Sequence, residues 1–464
     1  MNERSTTDRL IDGLRAVVQR SAPGEKLPSS RELVDRYRVG PGTVARVIAQ
    51  LAAEGVVETR PGSGTFVATP ARHAAALPDF GWQTVALADR AVDPGRPLDN
   101  AWPPGTIRLD GGYLHQSLQP VRALSSALAR AARRPDAWDR APVNGLQSLR
   151  AVFAAWCGPS VAPDDVLVTG GGQSALSIAF RAIAAPGSPV LVESPTYPGA
   201  LAAARAAGLR PVPVPTDAEG LRPDLLAEAF ARSGARVLYC QPTYQNPTGA
   251  VLSADRRRQV VEVARAAGAF VIEDDFARFL GHGGPVAPPG PLLSDDRDGT
   301  VVLVTSLTKP AAPSLRIGAL VARGPVRERL RAIRQVDDFF VPRPLQEAAL
   351  ELISSPAWER HLKTLATALR QRCHTVVTAL AEQRPDWAVD HLPAGGLHIW
   401  VRIQTDDPAV AEAARDLGVA VSAGSRYFAA ERPGSWLRLN FAATADLTDL
   451  VTAAHRLAPA SPLR

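Results

Sequence analysis

The chain has 464 residues, of which 46% are hydrophobic and 21% charged, with a net charge of +6 and an isoelectric point of about 9.6. This composition excludes a disordered or collagen-like chain, and the length predicts two to four domains at roughly 100 to 200 residues each. There is no run of about 18 apolar residues and no charged-then-apolar start with a small-residue cleavage site, so a cytoplasmic protein with no membrane partner is expected. Cys157, Cys240 and Cys373 lie far apart and make neither a metal spacing nor an even disulfide set. Structural thiols and no metal site are expected from them. Of the 52 basic residues only Lys26, Lys309 and Lys363 are lysines. Arginine meets any need for positive charge but cannot form a Schiff base, so a retained lysine is a candidate for amine chemistry.

Residues 1–70 predict a small helical unit. Ser5, Thr6 and Thr7 offer starts to a helix with Leu10, Leu14, Val17 and Val18 on one face, stopped at Ala22-Pro23-Gly24. Ser29 with Glu32 fits a capping box for a second helix through Arg31, Leu33 and Tyr37. Pro41 suits the first turn of a third, whose stripe is Val44, Val47, Ile48 and Leu51 and whose flank carries Thr43, Arg46 and Gln50. Val56 to Arg60 and Thr65 to Ala68 read as strands around Pro61-Gly62-Ser63-Gly64. Two helices joined by a short turn, followed by a Gly-tipped hairpin, describe a winged helix-turn-helix whose last helix enters a DNA major groove. The charge of these residues, ten Arg or Lys against eight Asp or Glu, does not by itself point to DNA. An ordinary three-helix accessory domain has the same pattern.

The spaced residues Lys26-Leu27-Pro28-Ser29-Ser30-Arg31-Glu32-Leu33, Thr43-Val44, Leu51, Glu54-Gly55 and Gly62-Ser63-Gly64-Thr65-Phe66-Val67 resemble the GntR-type DNA-binding domain. The resemblance implies double-stranded promoter DNA as partner. Arg31 and the exposed face of the third helix (Thr43, Arg46, Gln50) would contact it, with the Gly64 wing at the minor groove. Gly40-Pro41 departs from the family, which often has Ser or Thr followed by Arg.

Residues 71–105 are rich in Ala, Pro, Asp and Arg and read as a linker, with Trp82 and Trp102 suggesting that parts of it pack. Beyond it, strands at about 165–169, 189–193, 210–214, 236–241, 269–273 and 300–304 are mostly separated by helical segments. That is the pattern of a largely parallel, doubly wound sheet. From about 326 the pattern turns helical, with later strands near Leu397 to Ile403 and Trp436 to Phe441, so a smaller C-terminal α+β part (326–464) is expected after a large part (106–325).

In such sheets ligands bind beyond the carboxyl ends of the strands. Four segments fall there. Thr169-Gly170-Gly171-Gly172-Gln173 leads into a helix whose N-terminus favours phosphate, although such a glycine turn is common. Pro242 to Gly249 can be a plain turn, and Glu273-Asp274-Asp275 can be helix caps. Thr305-Ser306-Leu307-Thr308-Lys309 is followed by Arg316. Jointly, a lysine, an arginine, a Gly-rich helix start and an acid fit pyridoxal 5'-phosphate: amine for the aldehyde, N–H groups and a cation for the phosphate, and a carboxylate for the ring nitrogen.

Residues 106–464 resemble the class I, fold-type-I aminotransferases through Asn246-Pro247-Thr248-Gly249, Glu273-Asp274-Asp275, Ser306-Leu307-Thr308-Lys309 with Arg316 and Gly318, and Arg438-Leu439-Asn440. A GntR-type winged helix-turn-helix fused ahead of such a domain is the architecture of the MocR family of transcriptional regulators. The resemblance implies an α/β PLP-dependent transferase-like fold with a smaller C-terminal α+β domain, and a homodimer. Lys309 would form the internal aldimine and serve as the catalytic residue, Asp274 would pair with the pyridine nitrogen, and Asn246 would bond the phenolate oxygen. Tyr197 would stack on the ring. Gly171, Gly172, Gln173, Ser306 and Arg316 would hold the phosphate, and Arg438 the carboxylate of a substrate or effector. Two departures bear on transamination. Phe276 replaces a tyrosine that usually donates to the phenolate oxygen, and Arg140 stands where a phosphate-binding tyrosine often precedes a glycine matching Gly145. The function implied is a regulator sensing pyridoxal phosphate or an amino compound. An aminotransferase with an accessory N-terminal domain is the alternative.

Overall fold

The computed structural model describes residues 6–69, 81–86, 102–284, 288–430 and 432–460, in two compact units, Met1–Asp89 and Arg90–Arg464. In the first, α1 (Thr6–Val18), α2 (Ser30–Tyr37) and α3 (Pro41–Ala53) precede a hairpin of β1 (Val57–Arg60) and β2 (Gly64–Val67). The capping box forms as expected. The Ser29 amide donates to Glu32 Oε2 at 2.7 Å and the Glu32 amide to Ser29 Oγ at 3.3 Å, satisfying donors that a helix start leaves open. Leu10, Leu14, Leu33, Val44, Val47 and Leu51 meet Val57 and Val67 in one core. The predicted stripes are therefore the faces that pack. Most of segment 71–105 lies outside the described residues. Trp82, on the short helix Gly81–Ala86, is 66% exposed. Trp102 is half-buried, with the Arg415 guanidinium over its ring at 5.5 Å.

In the second unit, β3 (Ile107–Arg108) comes first, then β4 (Val166–Thr169), β5 (Pro189–Ser194), β6 (Arg210–Asp217), β7 (Gly220–Leu221), β8 (Val237–Cys240), β9 (Phe270–Asp275), β10 (Val301–Ser306) and β11 (Gly318–Val321). The sheet order is β4-β11-β10-β9-β8-β5-β6-β7. Strands β6, β5, β8, β9 and β10 pair in parallel, while β11 runs antiparallel between β4 and β10. Sequence reading missed β11, whose four residues follow the Arg316 turn so closely that periodicity cannot separate them. Both faces are covered. Val271, Val301 and Leu303 pack on one side with Phe153, and Ile272, Val302 and Val304 on the other with Phe180, the alternation of a sheet between two helical layers.

The C-terminal strands are β12 (His398–Ile403), β13 (Val419–Ala420), β14 (Ser422–Ala423) and β15 (Ser435–Asn440), and β12, β15 and β14 form a three-stranded antiparallel sheet. β13 pairs with β3, and Leu109 and Leu114 are buried with Leu397, Ile399, Leu437 and Leu439. Residues 107–114 thus pack with the C-terminal strands. All three cysteines are free and buried. Among the described residues no helix is long and apolar enough to cross a membrane, and no group of three His, Cys, Asp or Glu could hold a metal ion.

Leu51 is fully buried in the first core, so Leu51→Ala is expected to cost that unit about 2–5 kcal/mol. Hydrogen exchange read by mass spectrometry should then speed up across residues 6–69 and stay unchanged in β10.

Candidate functional site

In the first unit Arg31, Arg46 and Gln50 are exposed and Thr43 is half-buried. Gln50 donates to Glu54 Oε1 at 3.1 Å, and Glu54 also accepts from Arg15 at 2.7 Å, which fixes the amide at the end of α3. Gly64 opens β2 at φ +117°, and a Cβ there would sit 2.9 Å from Lys26 Cε. Arg60 and Lys26 both lie over the Phe66 ring, 4.6 and 6.0 Å from its centre, so the wing presents cations. Gly40 is the N-cap of α3 and makes no side-chain cap, consistent with its departure from the usual pattern.

In the second unit the strand ends converge. Lys309 follows β10, donates to the Gly112 carbonyl at 2.6 Å and lies 3.9 Å from the centre of the Tyr113 ring. Burial, then the nearby Arg438, push its amine down to about 7, against a smaller opposing pull from Asp274. Asp274 accepts from Tyr239 Oη at 2.7 Å and Gln241 Nε2 at 2.8 Å. Burial nevertheless pushes it up to about 6. Its two neighbours face the other way: Glu273 accepts from the amides of Leu292 and Leu293, and Asp275 pairs with Arg278. Strand alternation therefore leaves Asp274 as the one acid of the three bonded to Tyr239 and Gln241.

Arg316 sits at φ +51° just before β11. A Cβ on Gly171 would lie 2.9 Å from its guanidinium, and one on Gly318 would lie 2.7 Å from the Thr305 carbonyl and 3.0 Å from Gly171 Cα. Glycine at both places lets this cation reach the N-terminus of the helix Gly172–Ile183. A Cβ on Gly172 would be 3.7 Å from Ser306 Cβ, so Gly171, Gly172, Ser306 and Arg316 form one cradle for an anion. Gln173 directs its side chain elsewhere, donating to the Gly199 carbonyl at 2.8 Å and accepting from Tyr197 Oη at 3.1 Å. Tyr197 is half-buried beside the cradle's helix, and Phe276 packs with the C-terminal core. Arg140 is exposed.

Arg438 donates to the carbonyls of Asp110 and Gly111, each at 2.6 Å, and to Asn246 Oδ1 at 3.4 Å. Asn440 donates to the carbonyls of Gly111 and Tyr113 at 3.2 and 3.1 Å. Sequence reasoning missed this strap, Asp110–Tyr113, because its contacts run through backbone oxygens. It also missed Tyr239 and Gln241, although the pairing of Cys240 with Glu273 sets Gln241 beside Asp274.

A model of class I and II aminotransferases matches residues 110–457, and one of the gntR family of bacterial regulatory proteins matches residues 7–67. A 2-aminoadipate transaminase of Thermus thermophilus is 31% identical over 76% of this chain and 89% of its own. The pyridoxine biosynthesis transcriptional regulator PdxR of Corynebacterium glutamicum is 29% identical, covering 91% of this chain and 89% of its own. The probable rhizopine catabolism regulatory protein MocR of Rhizobium meliloti is 27% identical over 90% of this chain and 85% of its own. A crystal structure of α-aminoadipate aminotransferase from Thermus thermophilus, complexed with N-(5'-phosphopyridoxyl)-L-leucine, superposes with a TM-score of 0.72 at 29% identity, covering 77% of this chain and 92% of that one.

With three lysines in the chain, lysine-labelled protein should give a short NMR spectrum in which one amine loses its proton near pH 7. That signal should vanish in Lys309→Met. Because the native value is lowered, the unfolded chain holds the extra proton above pH 7, so stability gained from this group grows from about 7 toward the ordinary lysine value of about 10.4.

Proposed function

Since this chain belongs to the class I and II aminotransferase family and joins that domain to a GntR-type one as the MocR regulators do, we propose that it is a pyridoxal-phosphate-dependent transcriptional regulator. It binds double-stranded promoter DNA in the cytoplasm as a homodimer. The observation that carries the reading is the presence, on one chain, of a capped helix pair with a Gly-tipped wing and of a glycine-and-arginine cradle with an acid and a lysine.

The residues of the second unit fit the cofactor. The cradle of Gly171, Gly172, Ser306 and Arg316 has room only because a Cβ is absent at Gly171, and it combines N–H groups with a guanidinium for a phosphate. Bound pyridoxal phosphate supplies an aldehyde carbon that amines attack and a ring that withdraws electrons when its nitrogen is protonated. Asp274 would hold that proton, Tyr197 would flank the ring, and Asn246 would donate to the phenolate oxygen through its amide. Lys309 supplies the amine for the aldehyde, and its lowered value leaves much of it neutral and nucleophilic near pH 7. Phe276 has no hydroxyl to donate, so Asn246 would be left to make that contact. Arg438 grips the carboxylate of an incoming amino compound. That compound regulates only to the extent that it binds the DNA-competent and DNA-incompetent states with different affinity.

Purified full-length protein should bind DNA from upstream of its own gene selectively, at fixed salt, and the affinity should change with pyridoxal phosphate. Lys309→Ala should lose that response and the borohydride-fixed adduct while still binding DNA. Weak, salt-sensitive binding joined to turnover of an amino donor would instead favour an aminotransferase with an accessory domain, in which Lys309 also moves the α-proton. Arg46→Ala should weaken operator binding by about 1–3 kcal/mol in the same assay, and an unchanged affinity removes it from the contact face.

A further inference from the structure

His398 opens β12 and is 7% exposed, yet its Nε2 is buried with no hydrogen-bond partner among the described residues. The antiparallel register pairs His398 with Asn440 and Trp400 with Arg438. Cross-strand partners and alternate residues share a face, so His398 and Arg438 are diagonal neighbours on one side of the sheet. Arg438 has its own orphan there. Its Nη atoms hold the strap carbonyls and Asn246, while its Nε is buried and unpartnered. A buried donor left without an acceptor costs about 1–3 kcal/mol, and native proteins retain such groups where something else binds them. Burial, Arg438 and Lys309 all hold the imidazole well below its ordinary value, so it is neutral and, as the Nε2–H tautomer, offers a single N–H.

Two unsatisfied N–H donors on adjacent strands, beside Lys309, match the two oxygens of one carboxylate. We propose that His398 is a binding residue for the carboxylate of the amino compound, taking one oxygen through Nε2 while Arg438 takes the other through Nε. The inference rests on the cofactor reading above and extends it to a residue outside the aminotransferase-like motifs.

The probes are pyridoxamine 5'-phosphate and N-(5'-phosphopyridoxyl)glycine, which differ by the carboxylate-bearing carbon unit. Calorimetry on the cofactor-free full chain measures both. Wild type should bind the glycine adduct more tightly than pyridoxamine phosphate. His398→Phe should weaken the adduct about tenfold, equivalent to about 1.4 kcal/mol, and leave pyridoxamine phosphate unchanged, which also shows that the pocket is folded. His398→Gln, which keeps an N–H at similar reach, should recover most of the loss. If His398→Phe weakens both probes equally, or neither, the contact does not exist and the proposal falls. Should wild type bind neither probe, the cofactor reading itself is overturned, an outcome that the two-probe comparison separates from failure of His398 alone.

Discussion

The carbonyls of Asp110–Tyr113 organise the centre of the second unit. Gly112 accepts from Lys309, Asp110 and Gly111 accept from Arg438, and Gly111 and Tyr113 accept from Asn440. Two cations brought near each other in a poorly hydrated crevice repel, and neither carries a salt-bridged carboxylate within the described residues. Backbone dipoles stabilise them without neutralising them. Burial, and then the neighbouring Arg438 guanidinium, hold the Lys309 amine down to about 7 all the same. The strap must also lie close. A Cβ at Gly112 would stand 3.3 Å from Lys309 Nζ, tighter than most carbon contacts.

The same economy governs the buried acids. Glu193 accepts from the Gln241 amide at 3.0 Å and is pushed up to about 7, chiefly by burial, and Glu273 is likewise pushed up to about 7. Each of these carboxyls ties a loop beyond a strand end to the sheet: Glu193 the turn after β8, Glu273 the turn at Leu292–Ser294. Asp274, next to Glu273 in sequence, is instead bonded to the side chains of Tyr239 in β8 and of Gln241 just beyond it. Its Tyr239 and Gln241 donors favour the ionised form and partly offset the desolvation that raises it. Parallel strands whose ends carry alternating duties thus supply loop anchors on one face and ligand groups on the other.

Much of this was legible in the sequence, and the parts that were not share a cause. Local patterns carried the first unit: the Ser29–Glu32 box and the stripe Val44, Val47, Ile48 and Leu51 depend on neighbours three and four residues apart. Lys309, Arg316 and Gly171 could be singled out because lysine is rare here and few residue types fit the chemistry expected of them. The strap, Tyr239 and Gln241 were not, since each makes its contacts with residues distant in sequence or through a backbone atom that residue identity does not mark. β11 failed for a further reason: an antiparallel strand inserted among parallel ones breaks the alternation of strands and helices that identified the rest.

The net charge of residues 1–70 understates the face offered to a polyanion, because charge counted in sequence is not charge presented in space. Of the acids near the helix pair, Glu32 is spent on the Ser29 cap, and Glu54 accepts from both Arg15 and Gln50. Arg31 and Arg46 are exposed, while Arg60 and Lys26 lie against Phe66 with their charges at the wing. Fixing carboxylates in caps and pairs lowers their repulsion of phosphate without removing them from the count. A domain of this kind reads DNA through geometry more than through bulk charge, so its salt dependence reports the few arginines that face outward rather than the balance of the whole unit.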